Sequence, residues 1–294
     1  MTLRHMRIFV AVCEAKSTTK AAEKLYMAQP AVSLAIKELE EYYGVKLFDR
    51  ISKRLYLTDA GKYFFDCASH IVSLCDDIES NINSRRRSGK LKIGASITVG
   101  TKLIPGYVAM FKKRRPQIET EVFIGNSDLN EKKILQNELD FAIIEGLAHS
   151  ENIVSRTYMK DKLVAICSPS DPLCRKDAVT IDELLTRPLL LREVGSGTRE
   201  LFDHVMASFE YAYTPLWEST SNEAIINAVA KGLGVSVLSE MIVRDYLKQG
   251  FIAELKLEQL RFDRGFNIIY HKNKSLSGAA EEFIEMCVSC KNID

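Results

Sequence analysis

No run of about eighteen apolar residues occurs in this chain of 294 residues, which leaves no candidate for a membrane-spanning helix. The N-terminus, Met1-Thr2-Leu3-Arg4-His5-Met6-Arg7, lacks an unbroken apolar core, and no small-residue cleavage site follows it. It does not read as a signal peptide, and a cytoplasmic location is expected. The motifs G-x-S-x-G, H-E-x-x-H and the phosphate-binding Walker pattern are missing, and the five histidines (5, 70, 149, 204, 271) do not cluster. The sequence therefore gives little support to catalysis, and no cofactor or metal is expected. Proline is scarce at seven residues, and with fifteen glycines the chain has no low-complexity character.

Cysteine is also sparse: seven residues, an odd and scattered set (13, 67, 75, 167, 174, 287, 290), which reads as free thiols rather than a disulfide framework. Cys287 and Cys290 form a C-x-x-C, but no second pair or histidine lies nearby to complete a zinc site. On a helix the spacing places both side chains on one face, so packing is the preferred reading. A thiol-based redox sensor is the alternative, and no basic neighbourhood favours it.

What is present is an ordinary globular composition, 46% hydrophobic and 27% charged, over a length that suits two or three compact units. The net charge is only +1, yet residues 1–58 hold ten Lys/Arg against six Asp/Glu. The cationic surplus sits at one end, as a nucleic-acid-reading head would place it.

Within that end, Leu3, Met6, Phe9, Val10 and Cys13 recur at helical spacing and predict a first helix over about 3–15. Ser17-Thr18-Thr19 offers a hydroxyl cap, with Thr19 best placed, for a short second helix. A third helix runs from Gln29 to about Tyr42 and stops at Gly44. In it Val32, Ile36, Leu39 and Tyr43 face the core, while Gln29, Pro30, Ser33, Leu34 and Lys37 face outward near the N-terminal half, the part of a recognition helix that enters a major groove. Gln29 can pair bidentately with adenine, and Lys37 can reach a phosphate or a guanine. Leu55 and Leu57 alternate about Tyr56 as in a short strand, and Arg50, Lys53 and Arg54 sit on the hairpin beside it. This is a wing whose cations suit phosphates or the minor groove. Singly, each of these cations reads as a solvated charge; the ordered set does not.

Four ordered segments, Thr19-x-Ala21-Ala22-x-x-Leu25, Gln29-Pro30-Ala31-Val32-Ser33-x-x-Ile36-x-x-Leu39-Glu40, Gly44-x-x-Leu47-Phe48-x-Arg50 and Leu57-Thr58-x-Ala60-Gly61, resemble the LysR-type transcriptional regulators. The resemblance covers about sixty residues. It implies that Gln29, Pro30, Ser33, Leu34 and Lys37 face bases or phosphates, and that Arg50 and the wing cations hold the backbone. Two departures stand out: Ala28 replaces a usual Ser or Thr cap, and Thr18 replaces a usual apolar or aromatic residue.

From Asp59 the apolar positions Ala60, Phe64, Cys67, Ile71, Leu74, Ile78 and Ile82 follow a spacing near 3.5, with no Pro or Gly between Gly61 and Gly89. Such a stripe needs a partner, and a homodimer through residues 60–82 is expected, with a partly palindromic double-stranded DNA site. The resemblance adds tetramers built from two dimers and contact with RNA polymerase. The run Arg85-Arg86-Arg87-Ser88-Gly89-Lys90 reads as a charged hinge.

Beyond the hinge, strand and helix patterns alternate, which means parallel βαβ units. Strands are read at 91–95, 121–124, 141–144, 163–167, 189–192, 235–238 and 266–270, with helices after residue 100 and at about 129–137, 200–209, 222–231 and 278–290. The expected fold is thus an N-terminal winged helix-turn-helix (1–58), a dimerising linker helix and hinge (59–90), and a two-lobed α/β module like a periplasmic-binding protein (91–294). Lobe one takes about 91–162 and 266–294, lobe two about 163–265. In such sheets ligands collect beyond the strand C-termini. Ser96, Thr98, Asn126, Ser127, Ser196, Thr198, Arg199 and Ser221 lie there, with Gly195-Ser196-Gly197-Thr198 the strongest stretch, and a small anionic effector is expected. Helix capping is an equal reading for any one of them, and Arg199 has an alternative in a structural ion pair, with Glu193 and Glu200 among the possible partners. The functional reading is a DNA-binding transcription regulator tuned by that effector. The alternatives are a redox-responsive regulator of the same fold and a solute-binding protein, which would carry no winged head.

Overall fold

A computed structural model describes residues 1–51, 54–84, 89–258 and 261–290. They fall into two compact units, residues 1–87 with 135–138, and residues 88–134 with 139–294.

The first unit opens with α1 (Leu3–Ala15), whose Met6, Phe9 and Val12 are buried. Its stop is Lys16 in the left-handed region, φ 49°. Next comes α2 (Thr18–Lys24), and its cap is Ser17, not Thr19: the Ser17 hydroxyl accepts from the Lys20 amide at 3.3 Å. A capping side chain must sit on extended backbone ahead of the free amides. Ser17 has that backbone, whereas Thr19 is already helical and exposed. Tyr26, at φ 52°, makes the turn into α3 (Gln29–Tyr43).

Pro30 occupies the first turn of α3, where a missing amide costs nothing, and Gly44 closes it at φ 68°. Val32, Ile36 and Leu39 are buried as their spacing requires. Tyr43 departs from that expectation and is 42% exposed, its ring edge-on to Tyr42 and Phe64. Tyr42, Gly44 and Val45 are exposed too, so the helix has left the core by its last turn.

The hairpin β1 (Phe48–Ile51) and β2 (Arg54–Leu57) pairs antiparallel with Phe48 opposite Leu57. The long helix α4 (Asp59–Ser84) follows. Phe9 joins these pieces, with ring centroids 5.1 Å from Phe48 and 4.9 Å from Phe64. Each fully buried ring of this kind stabilises the fold by about 1.5–3 kcal/mol. Gly61 is dictated by proximity: a Cβ there would lie 2.1 Å from the Leu47 carbonyl oxygen.

The second unit runs β3 (Lys90–Ala95), α5 (Ile97–Lys102), α6 (Ile104–Arg114), β4 (Glu119–Ile124), α7 (Ser127–Leu135), β5 (Phe141–Glu145) and β6 (Ile153–Cys167). It continues through α8 (Ile181–Leu185), β7 (Leu190–Arg192), α9 (Gly197–Ser208), β8 (Trp217–Ser219) and α10 (Asn222–Ala230). Last come β9 (Ser236–Ser239), α11 (Glu240–Lys248), β10 (Ala253–Leu255), β11 (Phe262–His271) and α12 (Gly278–Ser289). The single helix expected after β3 is two, because Pro105 lacks the amide that would carry α5 onward and starts α6 instead.

Seven strands form one mixed sheet in the order β10-β6-β11-β5-β3-β4, with β9 also on β6. β3 pairs parallel with β4 and β5, as βαβ units require. The long antiparallel pair β6–β11 belongs to both lobes: Tyr158 sits in the core of Leu91, Phe111, Phe141 and Phe283, whereas Leu163 joins that of Phe202, Met206 and Val237. β7 and β8 pair parallel and carry the second lobe's own crossover.

Candidate functional site

The C-terminal ends of β3 and β5 and the start of α9 meet around one side chain, Glu145, which the sequence did not single out. It ends β5 and is 1% exposed. Its Oε1 accepts from the Ser96 hydroxyl at 3.1 Å and the Thr98 amide at 2.8 Å. Its Oε2 accepts from the Thr198 hydroxyl at 3.0 Å and from Arg264 Nη1 at 2.8 Å. Arg264, on β11, also donates to Thr198 Oγ1 at 2.8 Å and lies 2.7 Å from Asp161 on β6. Burial by itself pushes the Glu145 carboxyl up, but Arg264, Arg192 and the Thr98 contacts outweigh it and bring it down to about 2. Burial dominates at Asp161 and raises it, partly offset by Arg264.

The lobes close over this group. Asp128 N–H donates to the Gly195 carbonyl at 3.1 Å, and a Cβ on Gly197 would lie 2.2 Å from the Glu145 carbonyl oxygen. Gly195 has φ 88°, a conformation that an L side chain resists. The two glycines of Gly195-Ser196-Gly197-Thr198 thus let α9 approach the end of β5.

The other expected residues divide. Ser127 is buried and donates to the Glu145 carbonyl at 2.8 Å. Asn126 accepts from the Leu129 amide in the first turn of α7, Ser196 caps α9, and Ser221 caps α10 from an exposed position. Arg199 is held by Asp203 at 2.7 Å, Glu218 at 3.0 Å and the Arg192 carbonyl at 3.1 Å. The ion-pair alternative for Arg199 holds, but neither Glu193 nor Glu200 supplies the partner. Glu193 instead takes the buried Arg192, and Glu200 takes His149 at 3.1 Å. Asn222 accepts from Arg192 through Oδ1 and leaves Nδ2 buried without an acceptor. Next to this cradle, a cavity of about 400 Å³ is lined by Asp128, Glu131, Glu200 and Asp203 along with Ser127 and Arg199. His149 and His204 complete its lining, and Asp128, Glu200 and Asp203 pair there with Lys132, His149 and Arg199.

On the head, Gln29, Pro30, Leu34, Lys37 and Thr19 are exposed and Ser33 is half-buried. Gln29 Nε2 donates to Ser33 Oγ at 2.8 Å, which orients the amide along the outer face of α3. Lys37 lies 3.4 Å from Glu41. Lys53 and the side chains of Arg50 and Arg54 lie outside the described residues.

Residues 3–62 match the family described as "Bacterial regulatory helix-turn-helix protein, lysR family", and residues 84–289 match "LysR substrate binding domain". This chain belongs to the LysR family of transcriptional regulators. The Escherichia coli K12 "HTH-type transcriptional regulator YeiE" is 36% identical over 287 residues, 98% of this chain and 97% of that protein. Among solved structures, the Synechocystis CcmR regulatory domain in complex with 2-PG aligns with a TM-score of 0.65 at 24% identity, over 70% of this chain and 98% of that one. Full-length CbnR complexed with its target DNA aligns at 0.61 and 19% identity, over 97% and 98%. This regulator thus has a DNA-binding helix-turn-helix and a two-lobed α/β effector-binding domain.

In the LysR-type head, Glu40 organises the junction of α3 and the wing. Glu40 Oε1 accepts from the amides of Leu47 and Phe48 at 2.9 and 3.2 Å, and Oε2 meets Lys46 Nζ at 2.8 Å. Partial burial raises its carboxyl, but these donors outweigh it, and it titrates below the usual glutamate range. Glu40 thereby fixes the wing to α3, and its place in the motif Leu39-Glu40 was the available signal. The buried thiols Cys167 and Cys287 do not have the lowered pKa that a redox-active thiolate needs. Cys287 is fully buried, and desolvation first, then Cys290, push it up; burial also raises Cys167, to about 12.

No helix among the described residues is long and apolar enough to cross a membrane, and none of them form a cluster of metal-binding side chains.

Proposed function

We propose that this LysR-type regulator holds a small anionic effector in the cleft where Ser96, Thr98, Ser196 and Thr198 meet Arg264, with Asn126 and Ser127 at the margin. Occupancy then shifts how the head engages a partly palindromic operator. The observation that carries the reading is the carboxylate already in that position, that of Glu145, ligated by four donors from both lobes. A buried carboxylate is tolerated only where donors and a cation compensate its lost hydration, so this geometry accepts negative charge.

At the DNA end, Gln29, Ser33 and Leu34 read base edges and Lys37 reaches a phosphate or a guanine, while Thr19, Pro30, Arg50, Lys53 and Arg54 position the backbone. Two copies pair through residues 60–82, where Cys67 and Ile71 on the stripe of α4 are exposed. A tetramer of two such dimers, contact with RNA polymerase and a cytoplasmic location belong to the same reading. The effector acts by population shift, by no more than its difference in affinity between the states.

The test is a panel of sodium salts of inorganic oxyanions and small carboxylates, read by thermal melting and by affinity for the DNA flanking the gene. At least one is expected to raise the melting temperature and change promoter affinity. In Thr198→Val that response should be blunted. A panel without effect on either readout sinks the anionic reading.

A further inference from the structure

Glu145 has no acceptor capacity to spare. An ionised carboxylate offers about four lone-pair sites, and the Ser96 hydroxyl, Thr98 amide, Thr198 hydroxyl and Arg264 guanidinium provide four donors to it. An anion beside Glu145 would find these four donors already engaged and would set a second negative charge against the buried first. The carboxylate also bridges the lobes. Ser96 and Thr98 precede and open α5 in lobe one, Thr198 lies on α9 in lobe two, and Arg264 stands on the strand that runs through both.

We infer that Glu145 is a tethered stand-in for the effector: it occupies the cradle in the free protein, holds the lobes closed, and is displaced when an outside anion binds. The inference rests on the anionic reading above and gives it a mechanism. The free regulator is already in a ligated arrangement, and the effector works by exchanging one anion for another that is not joined to β5. Tethering gives Glu145 a high effective concentration, so a competitor must outbid an intramolecular ligand. A weak anion therefore leaves the wild-type protein unmoved.

Formate is the probe, since it is the carboxylate of Glu145 without its tether. In the full-length Glu145→Ala variant, sodium formate is expected to raise the melting temperature saturably beyond an equal concentration of sodium chloride. It should bind this variant at least ten-fold more tightly than the wild type. In Glu145→Ala with Arg264→Met, where the cation is gone, the formate effect should vanish. If Glu145→Ala does not fold alone, its refolding yield in formate against chloride is the readout, with the same expectation. Equal responses to formate and chloride in Glu145→Ala, or a formate response as strong in the wild type, would overturn the inference. Promoter affinity measured on the same samples separates the two readings. Formate binding to Glu145→Ala without any change in DNA affinity keeps the stand-in and removes its coupling to DNA. A wild-type response to another anion, with no formate binding by the variant, does the reverse.

Discussion

Arg264 Nη1 lies 2.8 Å from Glu145 Oε2 and 2.8 Å from Thr198 Oγ1, so a single nitrogen on β11 ties the end of β5 to the first turn of α9. The same guanidinium reaches Asp161 at 2.7 Å, and the Arg264 side chain is only 3% exposed. One buried cation therefore serves two buried carboxylates.

Replacing Arg264 by Met keeps much of the volume and removes the charge. Breaking a buried ion pair from one side costs about 3–5 kcal/mol, because the stranded charge stays behind. Urea unfolding of Arg264→Met is expected to show a loss of that order in the effector domain. A loss below about 1 kcal/mol would mean that the group is hydrated and behaves like a surface pair.

The pH dependence of the same group has a definite sign. The folded-state carboxyl of Glu145 is depressed, from 4.5 to about 2. Its stabilisation is thus complete above pH 4.5 and is lost as pH falls from there towards about 2. The stability margin of the wild type over Glu145→Gln should be constant through neutral pH and shrink only in that acid window. A margin already fading at neutral pH would contradict the assignment.

Much of this arrangement was legible in the sequence, and the illegible part has a common cause. The three head helices, the Gly44 stop and the lack of a cap at Ala28 follow from local spacing and local hydrogen bonding, and the helix ends agree closely. Ser96, Thr98 and Thr198 were found because strand-end hydroxyls are a local pattern. Glu145 and Arg264 are 119 residues apart, and nothing local distinguishes either from a surface charge. The first ten residues of β6 were missed for a similar reason. Val154-Ser155-Arg156-Thr157 is too polar to read as a strand until β11 pairs with it. Three hydroxyls in a row, Ser17-Thr18-Thr19, leave the start of a helix undetermined in the sequence; the extended backbone at Ser17 decides it.

Ala28 begins α3 with extended backbone and no side-chain hydrogen bond to the free amides. Ala28→Ser supplies the missing acceptor and is expected to stabilise the head by about 1 kcal/mol. Thermal melting of the full chain, followed on the head's own transition, checks this. An unchanged or lowered midpoint would show that the amides of that turn are already satisfied.

Gln29 is aimed along the exposed face of α3 by its hydrogen bond to Ser33. Gln29→Ala should weaken promoter binding by about 1–3 kcal/mol and leave binding to unrelated duplex nearly intact, while Lys37→Ala should lower the salt slope by about one. Equal losses on both DNAs would remove Gln29 from base reading.

The most direct test of regulation by sequence-specific binding is the affinity of the purified full-length protein for DNA flanking its own gene, against random duplex of equal length, at physiological salt. At least a roughly thousand-fold preference is predicted, protecting two half-sites whole helical turns apart. Equal affinity for both duplexes, from a protein that is monomeric in solution, would contradict the account.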